Sequence, residues 1–180
     1  MLDNRSKKTR RKFLSLTSLS MATIIFGTNF SKIKTIEAKN ISSKADLIVV
    51  WKRKRRLVLF HQSIPIKEYS IKLGFNPIGH KIKEGDGRTP EGKYYINRIN
   101  LNSKYHKSLG ISYPNAEDKK KAEELGVDPG GEIFIHGGPR RNWLFNFFRD
   151  WTAGCIAVTD REIEEILSLV PLGTIIYIYE

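Results

Sequence analysis

The chain reads as a mainly β domain with two short α-helices. Three observations carry this expectation. Short runs of β-branched and aromatic residues are separated by turn residues, one stretch alternates with a period of two, and only two segments carry a helix cap ahead of a helical pattern. At 180 residues the chain can build one domain with a sizeable core.

The elements follow in order. "LIVVW", "KRKR" and "LVLF" within residues 45–60 predict two apolar strands around a solvated polar tip. "IPIKEYSIKLG" alternates and stops at Gly74, so an antiparallel meander is the simplest arrangement. Residues 75–92 are dense in Gly and Pro and predict a loop. "KYYINRIN" (93–100) is a strand. Residues 113–128 form a solvent-facing helix, capped at Asn115 and stopped at Gly126. "GEIFIHGG" (131–138) is a strand running into a glycine turn. Residues 159–170 form a second helix, capped at Thr159 or Asp160, and "GTIIYIYE" (173–180) closes the chain as a strand.

The amino terminus reads as an address. A basic run at residues 5–12 precedes a moderately apolar run at 13–27, the order of a signal peptide. The apolar run is too short and too polar for a good transmembrane helix. "TRRKFL" (Thr9–Leu14) resembles the twin-arginine export motif, with Arg10 and Arg11 as the pair. Cleavage after Ala38 is expected, with Ile36 and Ala38 at the −3 and −1 positions. The alternative is an uncleaved amphipathic anchor. Residues 1–38 thus form a twin-arginine-like signal peptide and 39–180 the working domain. The expected location is outside the cytoplasm, in the periplasm or cell envelope, with membrane passage only in transit.

Net charge is +12, and half of it sits in residues 1–38. The basic "WKRKRRL" (51–57) lies in strand context with no nucleic-acid motif around it, so nucleic acid is not expected as a partner. The positive remainder suits a carboxylate-rich partner. No Cys/His/Asp/Glu cluster has metal-ligand spacing and no glycine loop has the pattern of a nucleotide site, so neither metal nor cofactor is expected.

The only cysteine, Cys155, excludes an intramolecular disulfide. Nineteen positions upstream His136 ends an apolar run and is followed by Gly137 and Gly138. A thiol is a strong nucleophile once a histidine takes its proton, and the pair can exist as an ion pair with a lowered thiol pKa. The backbone amides of Gly154 and Cys155, in a glycine turn, are placed to cradle an oxyanion. The two glycines leave room beside the imidazole and free a carbonyl to orient it. By spacing alone a buried, inert cysteine and a strand-end histidine fit equally well.

Three phrases decide further: "GHKIKEGDGRTPEGKYYI" (79–96), "PGGEIFIHGG" (129–138) and "DWTAGCIAVTDREIEEI" (150–166). Their content and order resemble L,D-transpeptidases of the YkuD type over about residues 46–180. The resemblance implies a β-sandwich-like YkuD-type domain that acts on peptidoglycan stem peptides. Cys155 would be the nucleophile, His136 its base, and the Gly137 or Gly138 carbonyl the third member. An acyl-enzyme would form with loss of D-alanine, and an amine or water would take the acyl group. Thr152, Gly138, Arg88 and His80 are candidates for contact with substrate. Arg140, Arg141 and Arg149 are further carboxylate binders, each as readily a solvated side chain. "NWLFNFFRDW" (142–151) reads as a lid or wall of the cleft, or as an ordinary hydrophobic plug.

Two departures stand out. Ala153 takes the place of a histidine found in many members, and Ala157 that of an arginine. They leave open an L,D-carboxypeptidase or other hydrolase on the same scaffold, and a non-catalytic wall-binding module. A papain-like protease has its cysteine before its histidine, the reverse of this chain.

Overall fold

Two apolar runs, Leu47–Trp51 (β1) and Arg56–His61 (β2), pair antiparallel from Leu47↔Phe60 to Trp51↔Arg56. They bury Ile48, Val50, Leu57 and Leu59 completely. A two-residue turn follows, with Gln62 and Ser63 both at positive φ, the geometry whose twist matches a hairpin. It leads into β3, Ile64–Ser70. The meander is therefore present. In the computed structural model, residues 44–138 and 149–180 are described. The expected leader, residues 1–38, lies outside the described residues, as do Arg140, Arg141 and most of the aromatic segment.

The remaining strands are β4 (Gly92–Ser103), β5 (His106–Ile111), β6 (Phe134–His136), β7 (Ile156–Ala157) and β8 (Ile175–Tyr179). They complete one eight-stranded mixed sheet, in the order β3-β2-β1-β8-β4-β5-β6-β7. Its sandwich-like form comes from β4. The first part of that long strand pairs with β8 and the rest with β5. Just beyond β3, Lys72 bridges Ala157 of β7, which brings the two ends of the strand order together around one core.

The helices cap as the sequence requires. Asn115 accepts the Glu117 and Asp118 amides at the start of α1, Ala116–Glu124, and Thr159 caps α2, Asp160–Leu169, in a reciprocal capping box with Glu162. Helix α2 buries Ile163 and Ile166 fully in the core, each contributing about 2 kcal/mol by burial.

Four expectations change. Strand β4 is longer than predicted. Strand β6 is shorter, because Glu132 turns the chain at a φ of 56°. Strands β5 and β7 carry too few apolar residues in sequence to announce themselves, and exist because β4 and β6 supply their hydrogen-bond partners. The "KRKR" tip is not simply solvated. Lys52 is 1% exposed, and its Nζ donates to Gly79 O at 2.6 Å, Thr89 O at 3.1 Å and Glu91 Oε1 at 2.7 Å. A buried ammonium persists only when paired and hydrogen-bonded, and here it pins the 75–91 loop to the first hairpin.

That loop is organised by Asp86. Its carboxylate accepts from the amides of Ile82, Lys83 and Arg88 and from Lys81 Nζ. Burial acts to raise its pKa, but these donors hold it down at about 2. The ordered loop then backs directly onto Gly154.

Candidate active site

Strand β6 ends on His136, and β7 begins one residue after Cys155. The two strands are parallel neighbours, with Ile135↔Ile156 and His136↔Ala157 in register. Continued by one residue, this register sets Cys155 opposite Phe134. Partners in register point to the same face, and so do residues two apart. Cys155 and His136 therefore share a face across adjacent strands. Both line a cleft of about 720 Å³.

The imidazole is held on three sides. Its Nδ1 lies 2.6 Å from Gly137 O. A carbonyl only accepts, so Nδ1 carries the hydrogen and a neutral ring keeps its lone pair on Nε2. Tyr105 stacks on the ring at 4.4 Å, and Trp151 meets it edge-on at 5.7 Å. Burial, helped by the nearby Lys104 charge, lowers the His136 pKa from 6.5 to about 4. The ring rests neutral at physiological pH.

Burial likewise raises the pKa of the half-buried Cys155 thiol. Its Sγ is 3.5 Å from Glu132 O, as donor. The resting pair is thus thiol and neutral imidazole, not the ion pair that sequence chemistry allowed. Desolvation in this pocket penalises both charged forms at once.

The turn before Cys155 is locked from inside. Thr152 Oγ1 donates to Cys155 O at 2.7 Å and accepts the Gly154 amide at 3.2 Å. The Gly154 amide, expected to face an oxyanion, is therefore already engaged. The Cys155 amide has no acceptor among the described residues. Gly154 sits at a φ of 134°, and a Cβ there would lie 2.6 Å from Arg88 O. Only glycine fits between the loop and the turn that precedes Cys155.

The other sequence candidates separate. Thr152 lines the cleft while performing its backbone role. The Gly138 amide donates to Asp160 Oδ1 at 3.0 Å, tying the glycine turn to α2. Arg88 and His80 lie away from the cleft. Arg88 Nη1 donates to His80 O. His80 accepts the Glu91 amide at Nδ1, with Nε2 3.2 Å from Asp118 Oδ1. His80 holds the 75–91 loop against α1 and Arg88 bonds within that loop, and neither lines the cleft with the thiol. Arg149 is described but does not line the cleft. Sequence reading missed Tyr105, Lys104, Glu132 and Phe134, which also line it. The first two ride on the β4–β5 hairpin, whose second strand was not anticipated.

The fold and its cleft define a mainly β domain that brings a histidine and a cysteine together on adjacent strands. The chain belongs to the YkuD family, L,D-transpeptidase catalytic domain, which it matches over residues 45–178. It is 30% identical over 129 residues to YafK of Escherichia coli (strain K12), covering 68% of this chain and 46% of that protein. Among solved structures it resembles the helical cell shape determining protein Pgp2 from Campylobacter jejuni. The TM-score is 0.58 at 25% identity, over 77% of this chain and 48% of that one. Bd1075 of Bdellovibrio bacteriovorus shares the fold at a TM-score of 0.55 and 24% identity, over 77% of this chain and 49% of its own. The chain spans about half the length of these relatives.

Proposed function

We propose that the domain is a peptidoglycan L,D-transpeptidase with Cys155 as nucleophile and His136 as base. The observation that carries this reading is the oriented imidazole: Nδ1 bound to Gly137 O leaves Nε2 as the proton acceptor in a cleft shared with the thiol.

The steps follow from the site. His136 Nε2 takes the thiol proton as Sγ attacks the carbonyl carbon of the L-centre residue that precedes a terminal D-alanine. The oxyanion that forms is met by the Cys155 amide. The tetrahedral adduct collapses, the C–N bond breaks, and imidazolium returns the proton to the departing D-alanine amine. A thioester remains. An incoming amine, deprotonated by the neutral ring, attacks the thioester and releases Sγ as the thiol. Two neutral partners suit this route, since the thiolate exists only while substrate is being attacked.

The domain is proposed to work in the cell envelope, reached through the twin-arginine-like leader with cleavage after Ala38. Amino-terminal sequencing of the exported protein tests that step. The likeness to Pgp2 supports a contribution to cell shape. Water as acceptor, which would give an L,D-carboxypeptidase, is the second reading. It is favoured by Ala153, an exposed cleft residue where a bulkier side chain would better screen the thioester.

The deciding experiment incubates the protein and its Cys155→Ala variant with disaccharide-tetrapeptide and reads products by mass spectrometry. A dimer joined through the third residues of two stems, made only by the wild type, supports transfer. Tripeptide with free D-alanine and no dimer replaces it with hydrolysis. Unchanged substrate in both leaves the wall-binding module.

A further inference from the structure

We infer that Lys104 selects the donor by binding a free carboxylate on its departing residue. The inference rests on the acyl-transfer reading above and adds a specificity determinant to it.

Lys104 and Tyr105 form the tip of the β4–β5 hairpin, closed by the Ser103↔His106 pair. Both line the cleft. The Tyr105 ring is stacked on His136, so the hairpin tip has a set position relative to the base. Lys104 Nζ lies over the Tyr105 ring, 5.1 Å from its centroid. A lysine that lines the cleft thus contacts the aromatic ring stacked on His136.

Its charge is not spent elsewhere. Neighbouring cations on this side of the domain are paired: Lys107 with Glu164 at 2.9 Å, and Arg98 with Glu132 at 3.0 Å. Lys104 has no ion pair among the described residues. Glu132 is the carboxylate among the described lining residues, and it is paired with Arg98. Among the described lining residues, the unpaired charge is therefore positive and belongs to Lys104. That charge reaches both reacting groups, because it lowers the proton affinity of His136 and of Cys155.

The substrate chemistry matches. In a peptide that loses its last residue, the terminal carboxylate lies one residue step from the scissile carbonyl, roughly 3.8 Å. A lysine stem spans such a distance, and its ammonium stays hydrated until substrate arrives. A donor blocked at this carboxylate would leave the ammonium unpaired in a partly desolvated cleft.

The test uses two stem-tetrapeptide donors, one with a free terminal carboxylate and one with a terminal amide. Turnover is compared for the full-length wild type, Lys104→Met and Lys104→Arg. The wild type is expected to prefer the free acid by about tenfold in kcat/KM, the effect of one charge-assisted hydrogen bond at an exposed site. Lys104→Met should lose that preference, through a raised KM for the free acid that exceeds any change on the amide, and Lys104→Arg should keep it. An unchanged preference in Lys104→Met overturns the inference alone. So does an equal loss on both donors, which would assign Lys104 to the electrostatics of the Cys155–His136 pair. Failure of the wild type on both donors removes the acyl-transfer reading and this inference with it.

Discussion

Arg55, at the tip of the first hairpin, grips Asp150 just upstream of the cysteine, with Nε 2.9 Å from Oδ1 and Nη2 2.7 Å from Oδ2. Both side chains are largely buried, at 17% and 10% exposure. Asp150 also accepts the Leu73 amide at 2.9 Å, and Leu73 O in turn accepts the amides of Trp151 and Thr152. One carboxylate thereby ties the hairpin, the exit from β3 and the approach to Cys155 into a clamp. Removing one partner of a buried pair leaves the other charge uncompensated. Asp150→Asn is expected to cost about 3 kcal/mol in urea unfolding. A loss below about 1 kcal/mol, the worth of an exposed pair, would disprove the clamp.

In the proposed reaction Thr152 acts through the turn it locks. Thr152→Val keeps the shape and removes both hydrogen bonds, so the Gly154 amide loses its partner and the nucleophile turn loosens. The expected result is a roughly tenfold to hundredfold fall in kcat with KM little changed, restored by Thr152→Ser. An effect confined to KM would make Thr152 a substrate contact instead.

His136 makes stability pH-dependent with a definite sign. Its pKa in the folded protein, about 4, lies below its ordinary 6.5. The folded state therefore disfavours the proton. This contribution is complete above pH 6.5 and is lost as pH falls through 4, amounting to about 3 kcal/mol over the window. Urea midpoints of wild type and His136→Gln, measured from pH 7 down to pH 4, should converge or cross as the wild type weakens. Parallel curves would mean the ring is not held neutral by burial.

Cys155 behaves in the opposite sense. Burial raises its thiol pKa, so the resting site holds little thiolate. Alkylation by iodoacetamide is expected to rise with pH along a curve shifted alkaline of free cysteine. Fast alkylation at neutral pH would show a preformed ion pair and require a different first step.

Most of the scaffold was legible because its signals are local. The first hairpin announces itself by apolar runs around a charged turn, the helices by Asn115 and Thr159, and the last strand by a run of β-branched and aromatic residues. Strands β5 and β7 were not legible, since their partners supply the reason they are strands. Lys52 shows the same limit from the polar side. Nothing in "KRKR" marks one lysine for burial, because the oxygens that bind it come from residues 79–91.

The sequence by itself singled out Cys155 and His136 as candidates, their order along the chain, and the glycine turns beside them, because those depend on residue chemistry and backbone freedom. Tertiary structure alone decided what those groups experience. The parallel register of β6 and β7 puts His136 and Cys155 on one face. The fold-back of Thr152 takes the Gly154 amide out of service. A hairpin tip lays Tyr105 on the imidazole and brings Lys104 to the cleft lining. Burial and charge at a site are sums over neighbours that the chain brings from far apart, and no local stretch contains them.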